Sequence, residues 1–155
     1  MGAPEPQPSL IYVVGRVGQG VRRELRARLA PLALSVPDVT TLSVLRGRPG
    51  LSNAQLARRA LIAPQSMLEV LASLERRGLV LRRADAANAR IMRAQLTASG
   101  RRTLARADTV IAELEEELLA AVAPAQRELL RGALLAAMAE LSAGLRGRAG
   151  ARRSA

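Results

Sequence analysis

The chain is 155 residues long, one domain's worth with room for a real core, and 49% of it is hydrophobic, which excludes a chain disordered by composition. It contains no Cys, His, Trp or Phe, and all 24 of its basic residues are Arg, which removes thiol chemistry, disulfides, Cys/His zinc sites, histidine acid–base catalysis and lysine Schiff bases. The net charge of +11 is unevenly spread: residues 51–102 carry ten Arg against three acids, and residues 103–145 carry three Arg against seven acids, a polarity that suits a polyanion held by one part of the fold.

The start, "MGAPEPQPS", has three Pro and no basic stretch of the secretory kind. Residues 1–9 are predicted to be a flexible arm. No apolar run approaches the roughly 20 residues needed to cross a bilayer, so the expectation is a cytoplasmic protein without membrane contact. From Leu10 to Leu29 apolar residues recur at Val14, Val17, Val21, Leu25 and Leu29, steps of three and four that mark one helix face. "APLALSVPD" breaks that pattern. Ser35 then caps a second helix with Pro37 in its first turn and Val39, Leu42 and Leu45 on one face. "RGRPG" (46–50) is a turn.

Ser52 and Gln55 have capping-box spacing, which predicts a short helix over 53–60. "LIA" is a tight connection, and Pro64 opens a further helix at its first position, with Met67, Leu71 and Leu74 inward and Gly78 as its stop. Two β-prone runs follow, 79–83 and 90–96, joined by a hairpin tip at 85–89. The second alternates, with Met92, Ala94 and Leu96 on one face and Ile91, Arg93 and Gln95 on the other. Thr97 caps a long helix stepping through Leu104, Ala107, Ile111, Leu114, Leu118 and Ala121, which Pro124 breaks. A last helix is expected from about Gln126 to Leu145, with Leu130, Leu134, Ala137 and Leu141 on one side, and 146–155 reads as a disordered basic tail.

Two short helices joined by a tight turn, followed at once by a small hairpin, make a winged helix-turn-helix. A helix fits the major groove and the hairpin reaches the neighbouring minor groove. The fold class is therefore mainly α with a small β-hairpin wing. "LSNAQLARRALIAPQSMLEVLASLERRGLV", then Arg82–Asp85, Arg90 and "LTASGRRTL" at 96–104, resemble the multiple-antibiotic-resistance regulator (MarR) family. The similarity runs from about residue 10 to 145. The resemblance implies a homodimeric bacterial transcription regulator and no enzyme. Residues 10–34 and 97–145 would be dimerisation helices, and residues 35–96 the DNA-binding module, placed on a pseudo-palindromic operator. It also implies small-molecule ligands that bind between these parts and weaken the hold on DNA. Where the family's wing reads Asp-Pro-x-Asp-Arg-Arg, this chain has "DAANAR" and keeps only Asp85 and Arg90. Glu69 stands where a basic residue is common, and Ser73 occupies another such position.

The candidate DNA-binding residues follow from these placements. Gln65 pairs with adenine, Ser66 with bases or phosphate, and Glu69 accepts from cytosine N4; the alternative for all three is a solvated polar surface. Arg90 enters a minor groove or pairs with Asp85. Arg58, Arg76, Arg77, Arg82 and Arg83 hold phosphates as a set, which positions a protein without reading sequence. Tyr12, the lone aromatic residue, is a weak candidate for lining a ligand pocket, against packing in the dimer region. No metal site and no cofactor are expected. The three glycines of "LIYVVGRVGQGVRRE" run G-x-x-G-x-G, the reverse of a dinucleotide fingerprint, and the absence of Lys rules out a P-loop. They are read as helix, at a cost of roughly 2–3 kcal/mol relative to Ala, kept for the close approach of another helix at Gly18. A rival reading of the whole is an architectural protein that binds any duplex, favoured by the acid at position 69.

Overall fold

A computed structural model describes residues 7–151, with side chains through Leu141. Six helices and a three-stranded antiparallel sheet follow one another: α1 (Leu10–Leu29), α2 (Val36–Gly47), β1 (Leu51–Ser52), α3 (Asn53–Ala60), α4 (Pro64–Arg76), β2 (Val80–Ala84), β3 (Met92–Leu96), α5 (Ala98–Leu118) and α6 (Pro124–Ala151). The sheet order is β1-β3-β2, with Leu51 opposite Ala94 and Val80 opposite Leu96. The chain divides into two compact units, and the boundary falls between Leu114 and Glu115.

The termini of these elements are where side-chain chemistry predicts them. Ser9 caps α1 by accepting from the Tyr12 N–H at 3.2 Å. Ser35 and Asp38 form a reciprocal capping box at the start of α2, as Ser52 and Gln55 do at the start of α3. Between α3 and α4 the chain turns through Leu61 in the left-handed region (φ 54°). Gly78 ends the next helix at φ +67°, a conformation that a side chain would strain. Thr97 caps α5: its hydroxyl accepts from the Gly100 N–H at 2.9 Å and donates to the Gly78 carbonyl at 2.7 Å.

The core of the first unit gathers Leu29, Leu42, Leu45, Leu56, Met67, Leu71, Leu74, Val80, Ala94, Leu96 and Leu104, all buried. The inward faces predicted for α2 and α4 are those found. Arg46 on α2 is ion-paired with Asp108 on α5. By contrast, the apolar line of α1 is buried only at Leu29; its first turns leave Leu10, Ile11, Tyr12, Val13, Val14 and Val17 exposed.

Four expectations need adjustment. A third strand, β1, lies inside the capping-box segment. The wing strands start one and two residues later than read. The long helix ends at Leu118, short of Ala121, because the chain bends there ahead of Pro124. The last helix begins at Pro124 and continues through Ala151, so 146–151 is helical backbone and not the disordered tail expected. Pro at a first helical position lacks an N–H that would go unused there, and at the other end the helix formers Ala, Leu and Arg alternate with Gly144, Gly147 and Gly150. The arm expected at 1–9 falls partly, at 1–6, outside the described residues, as do 152–155 of the tail.

Candidate nucleic-acid interface

Helix α4 presents two different faces. Met67, Leu71 and Leu74 are fully buried against the core, and the Thr41 hydroxyl donates weakly to the Met67 sulfur at 3.7 Å. Gln65, Ser66 and Glu69 lie on the exposed side of the first two turns. The helix starts at Pro64 without a side-chain cap, in an exposed first turn, so no side chain occupies the N–H groups there, an arrangement that favours phosphate oxygens. Asn53 at the head of α3 donates through Nδ2 to the Pro64 carbonyl at 3.2 Å, which ties the two helix starts together.

The wing is organised by one acid. Asp85 Oδ1 accepts from the Ala87 and Asn88 N–H groups at 3.0 and 3.1 Å, which folds the tip. Its other oxygen is ion-paired with Arg93 on β3. The same guanidinium donates to the Gly50 carbonyl at 3.2 Å and to Gln55 Oε1 at 3.5 Å. Gln55 is also the return half of the α3 capping box, so a single arginine ties wing, turn and helix start together. Asp85 therefore does not take Arg90 as its partner, the alternative weighed from sequence. Arg90 is exposed at the tip, with only its N–H engaged, by Asn88 Oδ1 at 3.1 Å.

Arg93, aided by the Ala87 N–H, holds the Asp85 carboxyl below its ordinary range. A depressed carboxyl stabilises the fold above its unfolded value of about 3.9, and that contribution disappears as the pH falls through the lower folded value. The wing tip is thus expected to be ordered at neutral pH and to loosen below about pH 4. The amide resonances of Ala87 and Asn88 should titrate there before the core melts. In Asp85→Asn they should already be shifted at pH 7, and unchanged positions in that variant would contradict this account.

The arginine set separates into two groups. Arg82 is half-buried and ion-paired with Glu75 on α4 at 2.6 Å, and Arg77 meets Asp38 at 3.4 Å. Both serve the fold, and Arg82 has its charge already balanced. Arg58, Arg76, Arg83 and Arg90 are exposed, as is Arg59, and among the described residues no acid pairs with them. Two of the three acids of residues 51–102 are thus taken up internally, and the charge left without an acidic partner among the described residues lies on α3, at the end of α4, on the wing and, as Arg101 and Arg102, in the first turn of α5. Tyr12 is exposed on α1.

Sequence reasoning passed over two residues. Arg93 was placed on the outer face of β3 without a role. The hairpin register puts it diagonally across from Asp85, a relation readable once Asp85 is set opposite Ile91. Leu68 lies off the inward line of α4 that periodicity marks, and it is 47% exposed.

Known proteins share this arrangement. The model of the MarR family matches residues 34–92. The HTH-type transcriptional repressor Rv2887 of Mycobacterium tuberculosis is 42% identical over 132 residues, covering 84% of this chain and 94% of the relative. The crystal structure of that Mycobacterium tuberculosis protein in complex with DNA superimposes with a TM-score of 0.70 at 37% identity, covering 83% of this chain and 96% of the other. Its complex with p-aminosalicylic acid gives a TM-score of 0.69 at 38% identity, covering 82% and 96%. With that degree of identity carried across the winged module and the helices that flank it, the chain belongs to the MarR family of DNA-binding transcription regulators.

Proposed function

We propose that this protein is a homodimeric, sequence-specific regulator that sets α4 of each subunit into successive major grooves of a pseudo-palindromic operator, with each wing over the adjoining minor groove. One observation carries the proposal: the exposed face of α4, with Gln65, Ser66 and Glu69, is flanked by exposed arginines that no acid among the described residues neutralises. Gln65 and Ser66 read base edges, Glu69 accepts from cytosine N4, Arg90 enters the minor groove, and Arg58, Arg76 and Arg83 hold phosphates. Arg82 contributes through its pair with Glu75. The mycobacterial repressor's complex with DNA supports this assignment.

The first helix and the last two are the dimerisation elements in this reading. A Cβ on Gly15 or Gly20 would meet nothing within 4 Å, and one on Gly18 only the end of the Arg22 side chain. No contact among the described residues requires these glycines, which is consistent with a partner subunit approaching there. A small-molecule effector that lowers DNA affinity completes the proposal, supported by the same relative's complex with p-aminosalicylic acid; Tyr12 is the weak candidate on this chain. No helix among the described residues is long and apolar enough to cross a membrane, and a regulator of this kind acts in the cytoplasm, where bacterial DNA lies.

The second reading, an architectural protein indifferent to sequence, draws on the exposed acid Glu69, which repels phosphates. Selection of bound genomic fragments at moderate salt separates the two. A regulator retains a few related sequences; Gln65→Ala should lose site preference, with affinity for the best site down about tenfold or more. Arg90→Ala should weaken all sites alike and flatten the salt dependence by about one unit per subunit. Equal retention of every duplex would establish the architectural reading, and retention of none would overturn both. Added p-aminosalicylate should release the selected fragments.

A further inference from the structure

Leu68 is not among the residues of the buried core. Its neighbour Met67 is fully buried, as are Leu71 and Leu74, whereas Leu68 is 47% exposed. On a helix of 3.6 residues per turn it lies about 90° from the outward line through Gln65 and Glu69. Glu75, seven residues on, lies on nearly the same side of the helix, and Glu75 is the residue that meets Arg82 on β2. Leu68 therefore flanks the exposed face on the side toward the wing, in the first two turns, beside Glu69. An isobutyl group held in water at that place is dehydrated when the helix enters a groove. The major groove offers one apolar feature, the 5-methyl group of thymine.

We propose that Leu68 is a specificity-determining residue that selects thymine by closing on its 5-methyl group. The proposal rests on the regulator reading above. It completes the chemistry of the helix: Gln65 addresses adenine, Glu69 addresses cytosine, and Leu68 supplies the apolar contact that neither polar residue can make. It also gives a use to the part of this leucine that the fold leaves exposed beside Glu69.

The test uses the full chain and its own selected operator. Each thymine of the operator is replaced in turn by 2′-deoxyuridine, which deletes the methyl group and leaves every hydrogen-bonding atom in place. One symmetry-related pair of positions should show the loss, about fourfold per half-site and about sixteenfold for both. Leu68→Ala should bind the thymine and uracil operators equally and match wild type on uracil; being exposed, the position should leave the thermal midpoint unchanged. Wild-type affinity that is indifferent to uracil at every position overturns the proposal, and so does Leu68→Ala that keeps the wild-type methyl dependence. Failure to select any operator sinks the regulator reading itself, and this inference falls with it. An operator found, with no methyl effect, sinks this inference alone.

Discussion

Gly100→Ala should destabilise the protein by about 3 kcal/mol, the upper end of the range for an overfilled site, and lower its melting temperature by roughly 6–12 °C. A Cβ at Gly100 would lie inside the van der Waals envelope of the Leu79 carbonyl oxygen and 3.0 Å from its carbonyl carbon. The obstacle is backbone, so no side-chain rotation relieves it. The junction cannot open cheaply either. The Leu79 carbonyl already accepts from the Thr97 N–H at 3.1 Å, and the Thr97 hydroxyl bridges the Gly78 carbonyl and the Gly100 N–H. Opening the corner to admit a methyl group would break these bonds and displace Leu79 and Val80, both core residues. Gly47, where an added Cβ meets nothing within 4 Å, is the control: Gly47→Ala should melt with wild type. Equal melting of Gly100→Ala and Gly47→Ala would refute the argument.

Leu134→Asp should convert the protein to a monomer and cut operator affinity by a hundredfold or more. On α6, Leu130, Leu134, Met138 and Leu141 recur at steps of three and four and are all exposed, from 41% to 68%. A contiguous apolar stripe of this length is unusual on a soluble monomer, and an uncompensated carboxylate within a buried one is costly. The loss on DNA far exceeds what one absent contact explains, because a dimer binds its second half-site as an intramolecular event. Ala139→Asp, on the opposite side of the same helix, should remain dimeric. Light scattering reads the assembly and fluorescence anisotropy the affinity. A Leu134→Asp dimer of wild-type affinity would remove α6 from the interface.

The winged module was readable because its punctuation is local. Ser52 with Gln55, Pro64, Gly78 and, in its capping of α5, Thr97 set helix ends within four residues of themselves, and each stands at the boundary it was assigned. The core lines of α2 and α4 were readable because one side of each is buried within a single chain. Strand β1 was not, since two residues show no alternation, and its existence depends on β3, some forty residues away. The partnership of Arg93 with Asp85 depends on hairpin register, and the pairing of Arg82 with Glu75 on how α4 meets β2; neither follows from composition. The apolar stripe of α1 was legible as a stripe, but periodicity does not say whether its own chain or another covers it. The end of α6 was misjudged because arginine and glycine suggest a tail, while alanine and arginine still favour helix.

The corner at Gly78, Leu79, Thr97 and Gly100 has a mechanical consequence. There the end of α4, proposed above to read the groove, is hydrogen-bonded to the beginning of α5 through Thr97. A tilt of α5 that keeps these bonds carries α4 with it. Over the roughly 20 Å from that corner to Gln65, a tilt of about 10° carries the probe tip some 3 Å sideways. That displacement is comparable to one base-pair step, enough to take a matched pair of probes out of phase with DNA while every internal bond of the module stays intact.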